Sequence, residues 1–185
     1  RRMFDDNLSD DGPLRALLSE TGLTPDKFTY VQHTYDKEDL ATGKVDVMSA
    51  YLTDQPFYFA QRGIPVNIIN PQNYGLDFYG DLLITSEREL QENPGRAERF
   101  VRASLKGWQY ALDHPEEMIQ LIKHQYGSAL SVEHLRFEAE QTRKMILPES
   151  VQLGLLAPGR LRRLASIDAE RKWAPPLSDR QLNRF

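Results

Sequence analysis

The sequence predicts an α/β protein with parallel-type βαβ units in its first part, followed by a helix-rich C-terminal half. Three observations lead to this class. Before residue 71, short runs of β-branched and aromatic residues alternate with helical segments, which is typical of parallel sheets. After Ser86, apolar residues recur at helical spacing. Finally, 40% of the 185 residues are hydrophobic, enough for one large core or two small lobes.

The first third of the chain contains most of the predicted strands. Clusters of β-branched and aromatic residues predict strands at 3–4, 28–32, 45–51 and 65–69. Helices are predicted between them at 14–21 and 36–42, and from Thr53 or Asp54 to Gly63. Each of these helices is followed by a glycine, which can take the left-handed conformation that ends a helix. A fifth strand at 81–86 follows an aromatic loop at 71–80.

Longer helices are predicted after residue 93, because each begins at a residue that favours a first helical turn. Pro94 and Pro115 suit the first turn, and Ser131 is a capping residue. The predicted helices are 94–112, 115–126 and 131–146. The tail at 153–185 is basic, interrupted by prolines and weakly patterned.

Composition excludes several classes of protein. With no cysteine, the chain has no disulfide, thiolate metal site, iron–sulfur cluster or cysteine nucleophile. A net charge of −4 gives no attraction to phosphate backbones, so a nucleic-acid partner is not expected. The mean hydropathy is −0.56, and no apolar run approaches the ~20 residues of a membrane span. The four histidines form no metal-binding motif, and no nucleophile elbow or phosphate-binding loop is present. We therefore predict no cofactor.

Three segments are candidates for a binding site. Asp6 and Asn7 follow the first strand, where open α/β sheets present ligand contacts, although capping and solvation also explain them. Tyr51, Thr53, Asp54 and Gln55 lie between the third strand and its helix; capping explains Thr53 or Asp54 but not the other two. Asp77 and Tyr79 lie in the aromatic loop, which either folds onto the core or lines a small-molecule pocket.

Two stretches of sequence resemble a known family. Residues 43–56, GKVDVMSAYLTDQP, are similar to the "G-x-V-D-A…Y-x-T-N-E-P" segment of periplasmic binding proteins of the thiamine-pyrimidine-precursor-binding type. Residues 74–85, YGLDFYGDLLIT, followed by Asn93-Pro94 and a long helix, resemble the same family where its chain returns to the first lobe. The resemblance covers roughly residues 3–159.

The resemblance implies a type 2 periplasmic binding fold, in which two lobes close on a small organic solute. In that fold, 1–71 corresponds to the second lobe, and 72–185 to the crossover strand and the helical part of the first lobe, with a C-terminal tail. Part of the first lobe lies upstream of the position of Arg1 in the family. The chain is then expected to need that segment or a second copy as a partner. The implied location is periplasmic or extracytoplasmic.

The sequence departs from the family at one site position. The family's acidic residue in "N-E-P" is Gln55 here, beside Asp54. A carboxylate accepts hydrogen bonds from an aminopyrimidine, whereas a glutamine presents one donor and one acceptor without charge. The ligand predicted from the resemblance is a small molecule, and a pyrimidine-like ring is one candidate for it.

Several functions fit the resemblance. The first is the sensory input domain of a bacterial signalling protein, because the 74–85 stretch and the Pro175-Pro176 region resemble such domains. The second is the substrate-binding protein of an ABC transporter. In either case a membrane-anchored partner is implied. The third is a pyrimidine-synthase-like enzyme, which the absence of cysteine and of clustered histidine disfavours. The fourth is a degenerate lobe kept for protein contacts. We predict a binding protein rather than an enzyme, with no catalytic residues.

Overall fold

A computed structural model describes residues 2–4, 12–32, 34–170, 172 and 174–182. Within these residues it contains two short β-strands, β1 (Arg2–Phe4) and β2 (Thr29–Val31). The α-helices of the described residues are α1 (Gly12–Glu20), α2 (Glu38–Ala41), α3 (Gln55–Gln61), α4 (Glu87–Glu92), α5 (Pro94–Asp113), α6 (Pro115–His124), α7 (Val132–Ile146), α8 (Pro158–Glu170) and α9 (Asp179–Leu182). Short 3₁₀ helices occupy Pro25–Lys27 and Pro71–Tyr74. None of the described helices is both long and apolar enough to cross a membrane.

The two strands form one parallel pair. Arg2 lies opposite Thr29, and Phe4 lies opposite Val31. Helix α1 lies between them in sequence, as a parallel connection requires. This part of the chain is therefore a βαβ unit, and the strands predicted at 3–4 and 28–32 are confirmed.

The strands predicted at 45–51, 65–69 and 81–86 are wrong for this structure. Apart from one bridge residue, Val47, these segments have no strand assignment among the described residues. A strand exists only where its backbone groups pair with a neighbour, and the propensity of side chains cannot supply that neighbour. The apolar residues of 65–69 and 81–86 stay exposed, with Ile68 and Ile69 more than half exposed and Ile84 at 83%, whereas Val45 of the first segment is buried without being in a strand.

The predicted helices are confirmed, and two helices of the described residues start at a serine whose side chain caps them. The Ser86 side chain accepts from Glu89 N–H at the start of α4, and the Ser131 side chain accepts from His134 N–H at the start of α7. Helix α3 begins at Gln55 rather than at Thr53 or Asp54, because residues 51–54 form a turn. Sequence patterning missed α8, whose single buried residue, Ile167, gives little periodic signal.

The chain divides into two compact units. The first comprises Arg1–Ala50, Phe59–Phe78 and Leu156–Phe185. Its core joins Ala16 of α1, Leu76 of the loop after the second 3₁₀ helix, and Ile167 of α8, with Leu17 and Phe78 packed against them. A separate polar contact holds α2, where the buried carboxylate of Asp39 accepts from Thr34 Oγ1 at 2.7 Å and from Lys44 Nζ at 2.9 Å. These bonds, to Lys44 first, hold the pKa of Asp39 below its usual range.

The second unit comprises Tyr51–Tyr58 and Tyr79–Leu155, and therefore contains α4 to α7. Arg136 of α7 donates two hydrogen bonds of 2.7 Å to the Glu116 carboxylate of α6, which lower the pKa of Glu116. The Lys123 ammonium caps the connection to α7 by donating to the carbonyls of Ser128 and Leu130. Residues 51–58 therefore belong to a unit that is otherwise built mainly of helices.

Gly154 lies close to the Leu105 side chain, so a larger residue at position 154 should disturb this packing. It has φ +78°, and a Cβ there would lie 2.6 Å from Leu105 Cδ2. We expect Gly154→Ala to lower the free energy of unfolding by about 1–2 kcal/mol, because the left-handed backbone disfavours any Cβ. Urea denaturation followed by circular dichroism measures this change.

Gly107 provides the matched control. It lies inside α5, and a Cβ there meets nothing within 4 Å. Gly107→Ala should raise the free energy of unfolding by about 0.5–1 kcal/mol, the ordinary gain of removing a helical glycine. If both variants changed stability in the same direction, the conformation assigned to residues 153–154 would be wrong.

Candidate functional site

The residues predicted between the third strand and its helix form a compact turn, here called the 51–55 turn (Tyr51–Gln55). The Asp54 N–H donates to the Tyr51 carbonyl at 3.1 Å. The Tyr51 N–H in turn donates to Gln55 Oε1 at 2.7 Å. Gln55 Oε1 is therefore engaged with the backbone, and the Nε2 amino group remains as the hydrogen-bond donor of this side chain.

Phe57 anchors this turn to α7. Its ring lies 4.7 Å from the His134 ring and 5.2 Å from the Phe137 ring, measured between centroids, with interplanar angles of 33° and 38°. His134 and Phe137 are three residues apart and therefore share one face of the helix. These tilted contacts explain why residues 51–58 group with the helical unit rather than with the residues on either side of them.

His134 also contacts the candidate carboxylate. Its Nε2 lies 2.9 Å from Asp54 Oδ1, and the residue is only 7% exposed. The imidazole does not meet the geometry of a directed hydrogen bond, so among the described residues Nε2 is a buried polar atom with no hydrogen-bond partner and a carboxylate at contact distance. The backbone of His134 is fixed by the Ser131 cap. Sequence reasoning missed this residue, because the histidine spacing matches no motif.

The turn presents varied chemistry to solvent. Tyr51 is 77% exposed and offers an aromatic face, while Thr53 and Gln55 are half-buried. Asp54 supplies a carboxylate acceptor whose side chain is 29% exposed. An aromatic surface beside a charged acceptor and an amide donor can bind a planar polar ligand.

Asp77 has structural partners in the first unit. Its Oδ1 accepts from Arg160 Nη2 at 2.6 Å and from Gln72 Nε2 at 2.9 Å. Arg160 also donates to the backbone carbonyls of Asp77 and Phe78. The loop before residue 79 is thus tied to α8 by one guanidinium group. The role of Asp77 as a ligand contact stays a prediction.

The remaining predicted residues are less defined. Tyr79 is half-buried and belongs to the second unit. Asp6 and Asn7 lie outside the described residues. The structure therefore brings Tyr51, Asp54 and Gln55 together in one turn, and the contribution of the other predicted residues to a binding site stays a prediction.

A groove of about 400 Å³ lies elsewhere in the second unit. Its walls are α5 and the segment after α7, contributed by Arg102, Leu105, Lys106, Gln109, Pro148, Val151, Gln152 and Leu153. Of the predicted site residues that the structure describes, none lines this groove. Arg102 pairs with Glu98, and Gln109 donates to Asp113, so part of the polar lining is already engaged.

Comparison with known proteins assigns the chain to a family. The sequence model described as NMT1/THI5 like matches residues 7–118, which include the 51–55 turn. The chain belongs to the NMT1/THI5-like family. This membership confirms the resemblance to the thiamine-pyrimidine-precursor-binding type, and it implies a periplasmic-binding-protein-like α/β fold. His134 lies beyond the matched residues.

Two relatives of this chain are named as binding proteins. The formylaminopyrimidine-binding protein of Halalkalibacterium halodurans is 27% identical over 85 residues, covering 45% of this chain and 26% of that protein. The riboflavin-binding protein RibY of Chloroflexus aurantiacus is 28% identical over 104 residues, covering 56% of this chain and 28% of that protein. The aligned part of the chain thus spans about a quarter of the length of each relative.

Arg160 is expected to stabilise the first unit through its bonds to the 77–78 backbone. Arg160→Gln removes the ion pair to Asp77 and leaves the Phe78 carbonyl without this donor. We expect a loss of about 1–2 kcal/mol in the free energy of unfolding. Arg163→Gln is the matched control, because Arg163 makes only an exposed 3.5 Å pair with Glu170 on the same helix. Equal stability of the two variants in thermal unfolding would contradict the assigned role of Arg160.

Proposed function

We propose that this chain is part of an extracytoplasmic solute receptor and that its 51–55 turn contacts a small nitrogen heterocycle. The observation that carries this proposal is the fixed turn itself. Tyr51 presents an exposed aromatic face, Asp54 an acceptor and Gln55 a donor, all held by backbone bonds and by Phe57. Family membership supports the solute-binding part of the proposal.

The donor and acceptor of the turn suit the edge of a heterocycle. An aminopyrimidine presents amino N–H donors beside a ring-nitrogen acceptor, and the flavin ring presents an N–H between two carbonyl acceptors. Both edges combine a donor and an acceptor, as the carboxylate of Asp54 and the Nε2 group of Gln55 do. The ligands named for the two relatives, a formylaminopyrimidine and riboflavin, belong to these classes.

The proposed role is the sensory input of a bacterial signalling protein. The support for it is the resemblance of 74–85 and of the 175–179 region to sensor domains. The alternative is the substrate-binding protein of an ABC transporter, which the printed names of the relatives fit equally well. Both roles place the chain outside the cytoplasm. We also propose that the other lobe of the type 2 fold supplies the second wall of the ligand cleft.

Binding to the turn is tested by titration calorimetry of the 185-residue chain with a formylaminopyrimidine and with riboflavin. We expect one of the two probes to bind, and Tyr51→Ala to weaken it at least about tenfold, because the aromatic face is lost. Tyr126→Ala is the control, since Tyr126 is 73% exposed in the same unit but far along the sequence from the turn. Equal affinities of the two variants would contradict the site, and binding of neither probe would contradict the function.

Gln55 is expected to set the choice between the two ligand classes. In Gln55→Glu, a carboxylate oxygen can still accept from Tyr51 N–H, but the Nε2 donor is replaced by an acceptor. A second carboxylate favours amino donors and opposes carbonyl acceptors. The ratio of formylaminopyrimidine affinity to riboflavin affinity should therefore rise about tenfold or more. Gln125→Glu adds the same charge at an exposed position and should leave the ratio unchanged. A ratio that falls in Gln55→Glu would contradict the assigned donor.

A further inference from the structure

We propose that His134 of α7 is a positioning residue that holds the Asp54 carboxylate in place for the ligand. This inference rests on the proposed function, because it assigns a partner to one group of the same site. His134 lies outside the residues matched by the family model, so family membership does not predict this role.

Geometry is the first support. His134 Nε2 and Asp54 Oδ1 are 2.9 Å apart, which is direct contact. A proton on Nε2 makes that contact attractive, and a buried imidazole N–H needs an acceptor. Asp54 Oδ1 is the acceptor that lies within reach. Because Asp54 is partly exposed and His134 is buried, the histidine can hold the carboxylate from the protein side while leaving it open to solvent.

Rigidity is the second support. The His134 backbone is fixed by its hydrogen bond to Ser131 Oγ at 3.1 Å, and its ring is in contact with Phe57. Phe57 lies two residues after the end of the 51–55 turn and packs on Phe137 as well. The backbone of His134 is thus held by the cap and its ring by the aromatic contact. A buried group held in this way can restrict a neighbouring carboxylate to one orientation, which is what a positioning residue requires.

Two substitutions separate the imidazole nitrogen from the aromatic ring. His134→Phe keeps an aromatic side chain against Phe57 but removes Nε2. His134→Gln places an amide N–H donor at similar reach and should restore the contact with Asp54. We expect His134→Phe to weaken binding of the probe that the parent chain binds, a formylaminopyrimidine or riboflavin, about tenfold or more. We expect His134→Gln to stay within about threefold of the parent. Circular dichroism of each variant checks that the fold is kept.

A measurement without ligand tests the contact by itself. In the 185-residue chain labelled with ¹⁵N-histidine, the Nε2 resonance of His134 should move when Asp54 is replaced by Asn, because its charged neighbour is lost. The same change at Asp113, also on a described helix end of the second unit, should leave that resonance in place. Asp54→Asn and His134→Phe should also weaken binding non-additively, since both remove the same contact.

Each outcome decides a different claim. An Nε2 resonance that does not respond to Asp54→Asn overturns the contact and with it the positioning role. A resonance that responds, together with full affinity in His134→Phe, shows a contact that does not position the carboxylate and overturns the proposal. Failure of His134→Gln to restore affinity overturns the assigned donor. If the parent chain binds neither probe, the proposed function fails, while the resonance still reports whether His134 contacts Asp54.

Discussion

The contact of Phe57 with His134 and Phe137 is the interaction on which the candidate site depends. The internal hydrogen bonds of the 51–55 turn fix its shape, and the Phe57 contact holds the turn against α7. The Phe57 ring lies 4.7 Å and 5.2 Å from its two neighbours. Contact of the half-buried Phe57 ring with two other rings therefore joins the five-residue 51–55 turn to the fifteen-residue helix α7.

Two further contacts orient the polar groups of the turn. Tyr51 N–H engages Gln55 Oε1, which leaves the amide nitrogen of Gln55 as a donor, and His134 lies against the carboxylate of Asp54. In the proposed binding site, Asp54 and Gln55 are therefore each in contact with another group of the protein. Such contacts reduce the ordering that a bound ligand must impose, so more of the interaction energy contributes to affinity.

The sequence predicted local structure well where the signal itself was local. Ser131 caps a helix as expected, and the glycine at 43 has a positive φ after α2. The candidate turn was also predictable, because Tyr51 and Gln55 were not explained by capping alone.

Features that depend on distant residues were not predictable. The apolar segments around Ile68 and Ile84 have the composition of strands. A strand also needs a neighbouring strand to pair with, and among the described residues these two segments have none. His134 was not predicted from the sequence for a related reason. Its contact with Asp54 joins residues eighty positions apart, and no sequence motif indicates such a contact. The bonds of Arg160 to the loop at 77–78 are equally remote in sequence. Sequence reasoning therefore found the turn but not the groups that hold it.

The most direct test of this account is nuclear Overhauser spectroscopy on the chain with labelled aromatic residues. The Phe57 ring protons should give cross-peaks to the rings of both His134 and Phe137, because the centroid distances are 4.7 Å and 5.2 Å. Observation of both cross-peaks would show that the 51–55 turn is mounted on α7 as described. Cross-peaks from Phe57 to other residues, with none to α7, would contradict the account, and the assigned backing of Asp54 and Gln55 would fail with it.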